Sequence, residues 1–478
     1  MSDQSRRMLV LGICCLSLLI AGVDTTAMNV ALPAVRRDLD TTVSGLQWTI
    51  DGYTLAVAAF LMLAGSTADR IGRRRVFQVG LALFTAGSLA CSLAPGLPWL
   101  VAFRVVQGLG ASMLNPVALS ILTTTFADPR ERTRAIGIWG GTVGLSLALG
   151  PIVGGLLVAS AGWRSVFWIN IPVGVAAIVL TGLFVPESRA AVTRRLDPAG
   201  QALVVVILGS VITGIIEGSR KGYGSTLIVG LFVLGAVAAV TFVRYESRRD
   251  QPLIDPAFFR SIPFSGAMIA AVTVFVALSG FLFLNTLYLQ DVRGYSALHA
   301  GLMTVPMAGA TVVFSPISGR LTAKYGPRLP LAGAGLMIAA AAMVLTLATP
   351  TTGVGVLLVA YVIFGAGFGL VNTPITATAV AGMPRSQAGV SGAITSTGRQ
   401  IGNSLGVAVL GSIVVGTDDP GHGAFTAASH LGWWILAGCG ALVTILGVLI
   451  TTDRATAGAT RIAARFPDQA KSVATVVA

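Results

Sequence analysis

Three ionisable side chains interrupt long apolar stretches of this chain and are the first candidates for chemistry: Asp24, Asp51 and Arg104. A carboxylate near the centre of a bilayer costs about 2.5–3.5 kcal/mol on insertion scales, so a cation or a proton must compensate its charge. A helical rise of about 1.5 Å per residue places all three groups in one layer, toward the outer side. We expect Asp24 to bind and release a proton, with Arg104 and a positive substrate as its competitors.

Each of these residues also has a purely structural interpretation. Asp24 and Arg104 fit a permanent ion pair that holds two helices together. Asp51 fits a hydrated carboxylate near the outer end of its helix. The sequence leaves both alternatives open.

The elements that position these residues are predicted from composition and hydropathy. The 478 residues are 54% hydrophobic and 11% charged, and their mean hydropathy is +0.82, which excludes a soluble domain. Because a membrane-spanning helix needs roughly 20 apolar residues, the sequence predicts an all-α polytopic membrane protein. Its fourteen spans are expected near 8–34, 46–65, 76–95, 98–123, 134–160, 165–186, 199–217, 225–243, 264–290, 299–319, 329–349, 353–380, 388–416 and 431–452.

The net charge of +13 is distributed as in a membrane protein. If the N-terminus is cytoplasmic, the inner loops and tails hold 24 Lys and Arg residues, the outer loops hold 6, and 2 lie within spans. This bias predicts a multi-pass cell-membrane protein with both termini in the cytoplasm. Aromatic residues do not interleave with the basic ones, so we expect no nucleic-acid partner.

Two parts of the chain resemble each other at a separation of about 255 residues, which suggests an internal duplication. The segment Gly65–Arg74 is echoed by Gly319–Arg328, and Gly108-Leu-Gly110 is echoed by Gly365-Ala-Gly367. We therefore expect a six-helix bundle at 1–190, a two-helix insert with a cytoplasmic tether at 191–262, and a second six-helix bundle with a tail at 263–478. Parallel repeats of this kind place a substrate site between the bundles.

Several motifs resemble those of the fourteen-helix drug:proton antiporters of the major facilitator superfamily. Asp24-Thr-Thr-Ala-Met-Asn29-Val-Ala-Leu-Pro33 resembles the first-span motif, Gly65 to Arg75 the loop after the second span, and Arg104 to Gly110 the fourth-span motif. Gly150-Pro151-Ile-Val-Gly154-Gly155 resembles the fifth-span antiporter motif, with Ser146 where a glycine is expected. The resemblance covers essentially the whole chain. It implies the major facilitator fold, two six-helix bundles plus two extra transmembrane helices, which work by alternating access.

The resemblance also implies two gating elements. Asp69 and Arg70 would help to hold the cytoplasmic side closed, in a loop that includes Gly65, Gly72, Arg73 and Arg74. Gly150, Pro151, Gly154 and Gly155 would limit ion leak through an empty carrier. The loop charges also fit a role in setting topology alone, and the glycine–proline run also fits a packing kink.

Polar residues on the predicted spans are candidates for substrate binding. They are Asn29, Tyr53, Asn115, Asn285, Tyr288, Asn372 and Arg399. Arg399 fits either an anionic part of a substrate or the carbonyls of a neighbouring helix. The amides and hydroxyls also fit bridges between helices.

The function expected from the motifs is proton-coupled export of drug-like or antibiotic-like amphiphilic small molecules. A proton-coupled importer of a small nutrient is the alternative, and a membrane-embedded enzyme is a remote one. Cysteines and histidines lack metal-ligand spacing, so we expect no metal, no cofactor and no enzymatic activity. The expected partners are the amphiphile, protons and membrane lipids, and the protein is expected to work as a monomer.

Overall fold

The computed structural model describes residues 3–190, 196–249, 252–381, 388–415, 422–452 and 455, and the regular structure in these ranges is entirely helical. Fourteen long helices, named α1 to α14, and a short 3-10 helix at Pro256–Arg260 account for it. Three are composite: α6 joins Ser165–Trp168 to Asn170–Phe184, α9 ends in a π-helix at Tyr288–Val292, and α10 joins Ala297–Met303 to Val305–Tyr325. The bounds are α1 Asp3–Asp38, α2 Val43–Ile71, α3 Arg73–Ser92, α4 Leu97–Thr125, α5 Pro129–Ala161, α6 Ser165–Phe184, α7 Pro198–Lys221, α8 Thr226–Glu246, α9 Ile262–Val292, α10 Ala297–Tyr325, α11 Arg328–Leu345, α12 Val354–Ala381, α13 Ala388–Val414 and α14 His422–Leu449.

Thirteen of these described helices have both the length and the hydropathy of a membrane span. The remaining one, α13, has the length at 27 residues and includes Arg399, Gln400 and Asn403. Several helices extend beyond the predicted apolar stretches. For example, α1 was expected at 8–34 and runs from Asp3 to Asp38. The extra turns carry charged residues, because a helix can continue past the hydrocarbon core while hydropathy detects only the apolar part.

The two glycine pairs of the repeat occupy equivalent packing positions. In α4, a methyl group added at Gly108 would lie 2.5 Å from the Tyr53 carbonyl oxygen of α2, and one at Gly110 would lie 2.3 Å from the Phe84 nitrogen of α3. In α12, Gly365 and Gly367 approach α10 and α11 in the same way. The fourth helix of each six-helix group therefore uses its two glycines to pack against the second and third helices of that group.

The insert packs at the edge of the molecule, where α8 lies against α7 and α7 contacts both α2 and α13. Two hydrogen bonds attach α7 to α2. Gln201 donates to the carbonyl of Ala59, and Trp48 Nε1 donates to Glu217 Oε1 at 3.2 Å. The contact with α13 is apolar and includes Ile212, Ile216 and Ala408.

The two six-helix groups, α1–α6 and α9–α14, meet near one face of the membrane region. We call this the opposite face, and the face at which α1 begins and α14 ends the terminal face. At the opposite face α2 packs on α13, α5 packs on the start of α10, and Arg36 lies 3.7 Å from Asp291. The contacts described here close the opposite face.

Candidate functional site

A fully buried ion pair connects α1 to α4. Arg104 Nη1 donates to Asp24 Oδ2 at 2.6 Å, and both side chains are 0% exposed. Arg104 Nε also donates to the Thr49 carbonyl of α2 at 3.1 Å, and the guanidinium carbon lies 4.4 Å above the Tyr53 ring. The structure thus joins two of the sequence-predicted proton-coupling residues and packs a predicted substrate-binding residue, Tyr53, against them.

Three residues that the sequence analysis missed complete the environment of Asp24. Gln107 Nε2 and Asn170 Nδ2 donate to Asp24 Oδ1 at 2.8 Å and 2.7 Å, and both also donate to Ser88 Oγ. Gln107 was detectable, because it lies three residues after Arg104 and so shares its helix face. Ser88 and Asn170 come from α3 and α6, and a single hydroxyl or amide in a membrane helix forms no pattern.

The donors around Asp24 are those of an ionised carboxylate. One cation and two amide groups donate to its two oxygens. In the conformation described here, Asp24 and Arg104 form the permanent-bridge arrangement that the sequence analysis left open as an alternative.

Asp51 lies in a different environment, between the two six-helix groups. Its Oδ1 accepts hydrogen bonds from Thr54 of its own helix at 3.0 Å and from Ser404 of α13 at 2.8 Å. The side chain is 0% exposed, and its Oδ2 has no hydrogen-bond partner among the described residues. Within the same residues no Lys or Arg nitrogen lies within 4.0 Å of it. Asp51 is therefore a buried acid with two neutral donors, one from each six-helix group.

An apolar cavity of about 100 Å³ lies beside this contact. It is enclosed by α2, α7 and α13, and Ser404 is one of its lining residues together with Leu55 and Ile212. An apolar cavity thus borders the Ser404 side of the contact between Asp51 and Ser404.

The remaining predicted substrate-binding residues lie in several environments. Asn29 is buried and donates to Thr25 O at 3.0 Å, Asn285 is buried and accepts from Tyr361, and Tyr288 donates to Thr349 O at 2.6 Å. Asn115, Asn372 and Arg399 are partly exposed. Arg399 Nη2 donates to Thr376 Oγ1 of α12 at 2.8 Å, and its Nε is buried without a partner among the described residues.

The glycine–proline run of α5 contacts both six-helix groups. A methyl group at Gly154 would lie 2.7 Å from Ala27 Cα of α1, and one at Gly155 would lie 2.7 Å from the Ala297 carbonyl oxygen of α10. One at Gly301 of α10 would lie 2.2 Å from the Pro151 carbonyl oxygen. Main chain therefore packs directly on main chain where the groups meet.

Ser146, which replaces an expected glycine, packs over a glycine of α1. A methyl group at Gly22 would lie 2.3 Å from Ser146 Oγ, and the Ser146 carbonyl accepts from Thr26 at 3.3 Å. On the same face, Gly150 leaves room for Thr26. Gly22 of α1 leaves the space that Ser146 occupies, so the two helices approach closely here.

The basic loop between α2 and α3 is organised within the first six-helix group. Arg73 Nη2 lies 2.9 Å from Asp69 Oδ1, and Gly72 has φ 125°, a conformation that favours glycine. Glu187, which the sequence analysis missed, accepts from the Arg74 backbone nitrogen at 3.1 Å at the start of α3. Gly65 lies farther up α2, facing Pro116 of α4, and Arg70 is exposed. A carboxylate at a helix N-terminus is stabilising, so Glu187 holds this loop in place.

No group of three or more His, Cys, Asp or Glu side chains that could hold a metal ion occurs in the part of the chain that the structure describes.

A family model described as Major Facilitator Superfamily matches residues 14–407. The chain belongs to the Major Facilitator Superfamily. Among curated relatives, the multidrug resistance protein Stp of Mycobacterium tuberculosis is 37% identical over 399 residues, 84% of this chain and 74% of the relative. The tetracenomycin C resistance and export protein of Streptomyces glaucescens is 36% identical, covering 83% and 74%. The methylenomycin A resistance protein of Streptomyces coelicolor is 34% identical, covering 88% of each chain.

Solved structures of the Major Facilitator Superfamily agree with the fold. A D-xylose-proton symporter superposes with a TM-score of 0.67 at 16% identity, covering 94% of this chain and 99% of the other. A bacterial homologue of the lysosomal transporter Spinster, described as inward-facing and unoccupied, has a TM-score of 0.66 at 20% identity, covering 96% and 98%. The predicted all-α fold of this superfamily is confirmed.

Proposed function

We propose that this protein is a proton-coupled antiporter that exports drug-like or antibiotic-like amphiphiles by alternating access of α1–α6 and α9–α14. Three relatives covering more than four-fifths of the chain carry resistance or export in their names. The Lys and Arg bias supports a cytoplasmic terminal face, so the conformation described here would receive cargo from the cytoplasm. Since one chain contains both six-helix groups, a monomer suffices.

The observation that carries the proposal is the position of Asp51. An ionised carboxylate buried without a cation is strongly unfavourable. The closed contact between α2 and α13 at Asp51 and Ser404 therefore stabilises the neutral acid. When the groups rock and Ser404 withdraws, water reaches the carboxyl group and its proton can exchange. Asp51 would then bind a proton from the opposite side of the membrane and carry it, as the neutral acid, into the closed conformation described here.

Asp24 and Arg104 have a supporting role in this scheme. Their closed network holds α1, α4 and α6 together while the ion pair remains intact. A cationic cargo that approaches Asp24 would compete with Arg104, as expected from the sequence. When one proton is exchanged for one neutral cargo molecule, one net charge crosses the membrane. At 100 mV this gains about 2.3 kcal/mol, which sustains a roughly fiftyfold concentration ratio.

Purified protein in liposomes with an imposed pH gradient tests the proposal. A panel of lipophilic cations and antibiotics should show saturable transport against the proton flux. Asp51→Asn should lower gradient-driven transport more than tenfold while exchange of labelled for unlabelled cargo continues, because exchange needs no net proton movement.

Asp40→Asn is the matched control. Asp40 is an exposed carboxylate with φ 44°, a conformation that asparagine tolerates. Gradient-driven transport should survive in this variant. Full gradient-driven transport in Asp51→Asn, or cargo moving in the same direction as protons, would contradict the proposal.

A further inference from the structure

Two glutamine side chains connect the six-helix groups at the opposite face. Gln47 Nε2 of α2 donates to the carbonyls of Val407 and Ala408 on α13, at 3.1 Å and 2.7 Å. Gln290 Nε2 of α9 donates to the carbonyl of Val30 on α1 at 2.8 Å. Each group thus extends one amide to the main chain of the other.

A glycine on α13 leaves space for the Gln47 amide. Gly411 lies one turn beyond Val407, and a methyl group there would lie 2.6 Å from Gln47 Nε2. Any side chain at this position would occupy the space of the amide. Gly411 lies in the last turn of α13, and the absence of a side chain there leaves space for the Gln47 amide.

Gln290 donates to the turn of α1 that contains Pro33. Proline has no N–H and cannot bond the carbonyl four residues earlier, that of Asn29, next to the Val30 carbonyl that accepts from Gln290. Gln290 itself lies in the π-helix Tyr288–Val292. Such short π segments redirect side chains and occur frequently at functional sites.

Both amides are buried, with Gln47 0% and Gln290 8% exposed. A hydrogen bond between neutral groups is little affected by salt. The neighbouring ion pair differs, because Arg36 and Asp291 are 3.7 Å apart and each side chain is about one third exposed. Ion pairs of that kind contribute little and are screened. The amide contacts are therefore a stronger polar connection than this ion pair.

We infer that Gln47 and Gln290 form a paired latch that sets the balance between the closed and open states of the opposite face. The latch contains no titratable group and acts in addition to the proton site at Asp51. This inference rests on the alternating access in the proposed function, and it adds two positioning residues to that motion.

Accessibility of a cysteine at position 44 measures opening directly. Ser44 is 4% exposed and lies three residues before Gln47, on the same face of α2. In Ser44→Cys, a membrane-impermeant maleimide added from the opposite face should react slowly while the latch is closed. The parent protein, with only its four native cysteines, gives the background rate.

Gln47→Met and Gln290→Met keep the length of each side chain and remove its donor. Loss of a neutral hydrogen bond changes an equilibrium by roughly two- to tenfold, so each variant should raise the labelling rate of Ser44→Cys by about that factor. Gly411→Ala should act in the same direction although it retains the glutamine. Gln78→Met is the control, because Gln78 donates to Ile178 within the first group and should leave labelling unchanged.

Labelling needs neither cargo nor a proton gradient, so the two proposals can fail separately. Faster labelling without any drug transport would support the latch and contradict the proposed drug export. Unchanged labelling in Gln47→Met, Gln290→Met and Gly411→Ala would overturn the latch, whatever the transport assay shows. Equal acceleration in Gln78→Met would also overturn it, because the effect would then be general loosening.

Discussion

At the scale of single residues, two buried carboxylates in the same protein have opposite surroundings. Asp24 receives a guanidinium and two amides, whereas Asp51 receives two hydroxyls and keeps one oxygen without a partner among the described residues. Depth in the membrane cannot distinguish such residues. The difference comes from the donors that neighbouring helices bring to each one, and it supports the proposal that Asp51 is the group whose protonation changes when the two six-helix groups separate.

The ion pair makes a testable contribution to stability. Asp24→Asn leaves the Arg104 guanidinium buried without an anion, and breaking a buried pair in this way costs about 3–5 kcal/mol. We expect a lower unfolding temperature in detergent for this variant. Asp24→Asn combined with Arg104→Gln should recover part of the loss, because no unpaired charge remains. A single variant as stable as the parent protein would show that the pair does not hold the helices together.

At the scale of helices, the packing of α5 on α1 depends on which partner carries the small residue. Gly22→Ala places a methyl group 2.3 Å from Ser146 Oγ, and overpacking of this kind costs about 1–3 kcal/mol. The unfolding temperature should therefore fall in Gly22→Ala. Adding Ser146→Gly, the residue expected at that position, should restore it.

Gly12→Ala is the control for this pair of changes. Gly12 lies on the same helix, and a methyl group there meets nothing within 4 Å. Because alanine is the better helix former, this variant should be at least as stable as the parent protein. Equal losses in Gly12→Ala and Gly22→Ala would mean that the close approach of α1 and α5 is not responsible.

At the scale of the whole molecule, the insert is expected to move with the first six-helix group. Hydrogen bonds from Gln201 and Trp48 attach α7 to α2, while its contact with α13 is apolar and borders a cavity. Spin labels on exposed residues at the terminal face, Ala199 of α7, Ile71 of α2 and Leu329 of α11, can report this motion.

Distances between these labels should separate the two possibilities, in a background without native cysteines. On changing from low to high pH or on adding cargo, the distance from position 199 to position 71 should stay constant and that from 199 to 329 should change by several ångströms. A constant 199–329 distance together with a changing 199–71 distance would assign the insert to the other group.

The sequence was sufficient for the fold, and it named Asp24, Arg104 and Tyr53, which the structure brings together. Long apolar stretches give a strong signal for each span, and glycine pairs at equivalent positions suggest the repeat, because these features need no knowledge of neighbours. Ser88, Asn170, Gln47 and Glu187 were not found, since each is an isolated polar residue whose role depends on a helix distant in sequence. The expected substrate-binding residues stay a prediction, because an amide that faces a cavity and an amide that bridges two helices cannot be distinguished from the sequence.

The seam between Gly155 and Ala297, and between Pro151 and Gly301, is built from backbone atoms. Point changes elsewhere in the chain leave such a surface untouched. A lineage of carriers that works by the proposed alternating access can therefore change the side chains that contact cargo while this backbone contact stays the same. Transport of a new compound then requires changes only in the side chains that contact cargo.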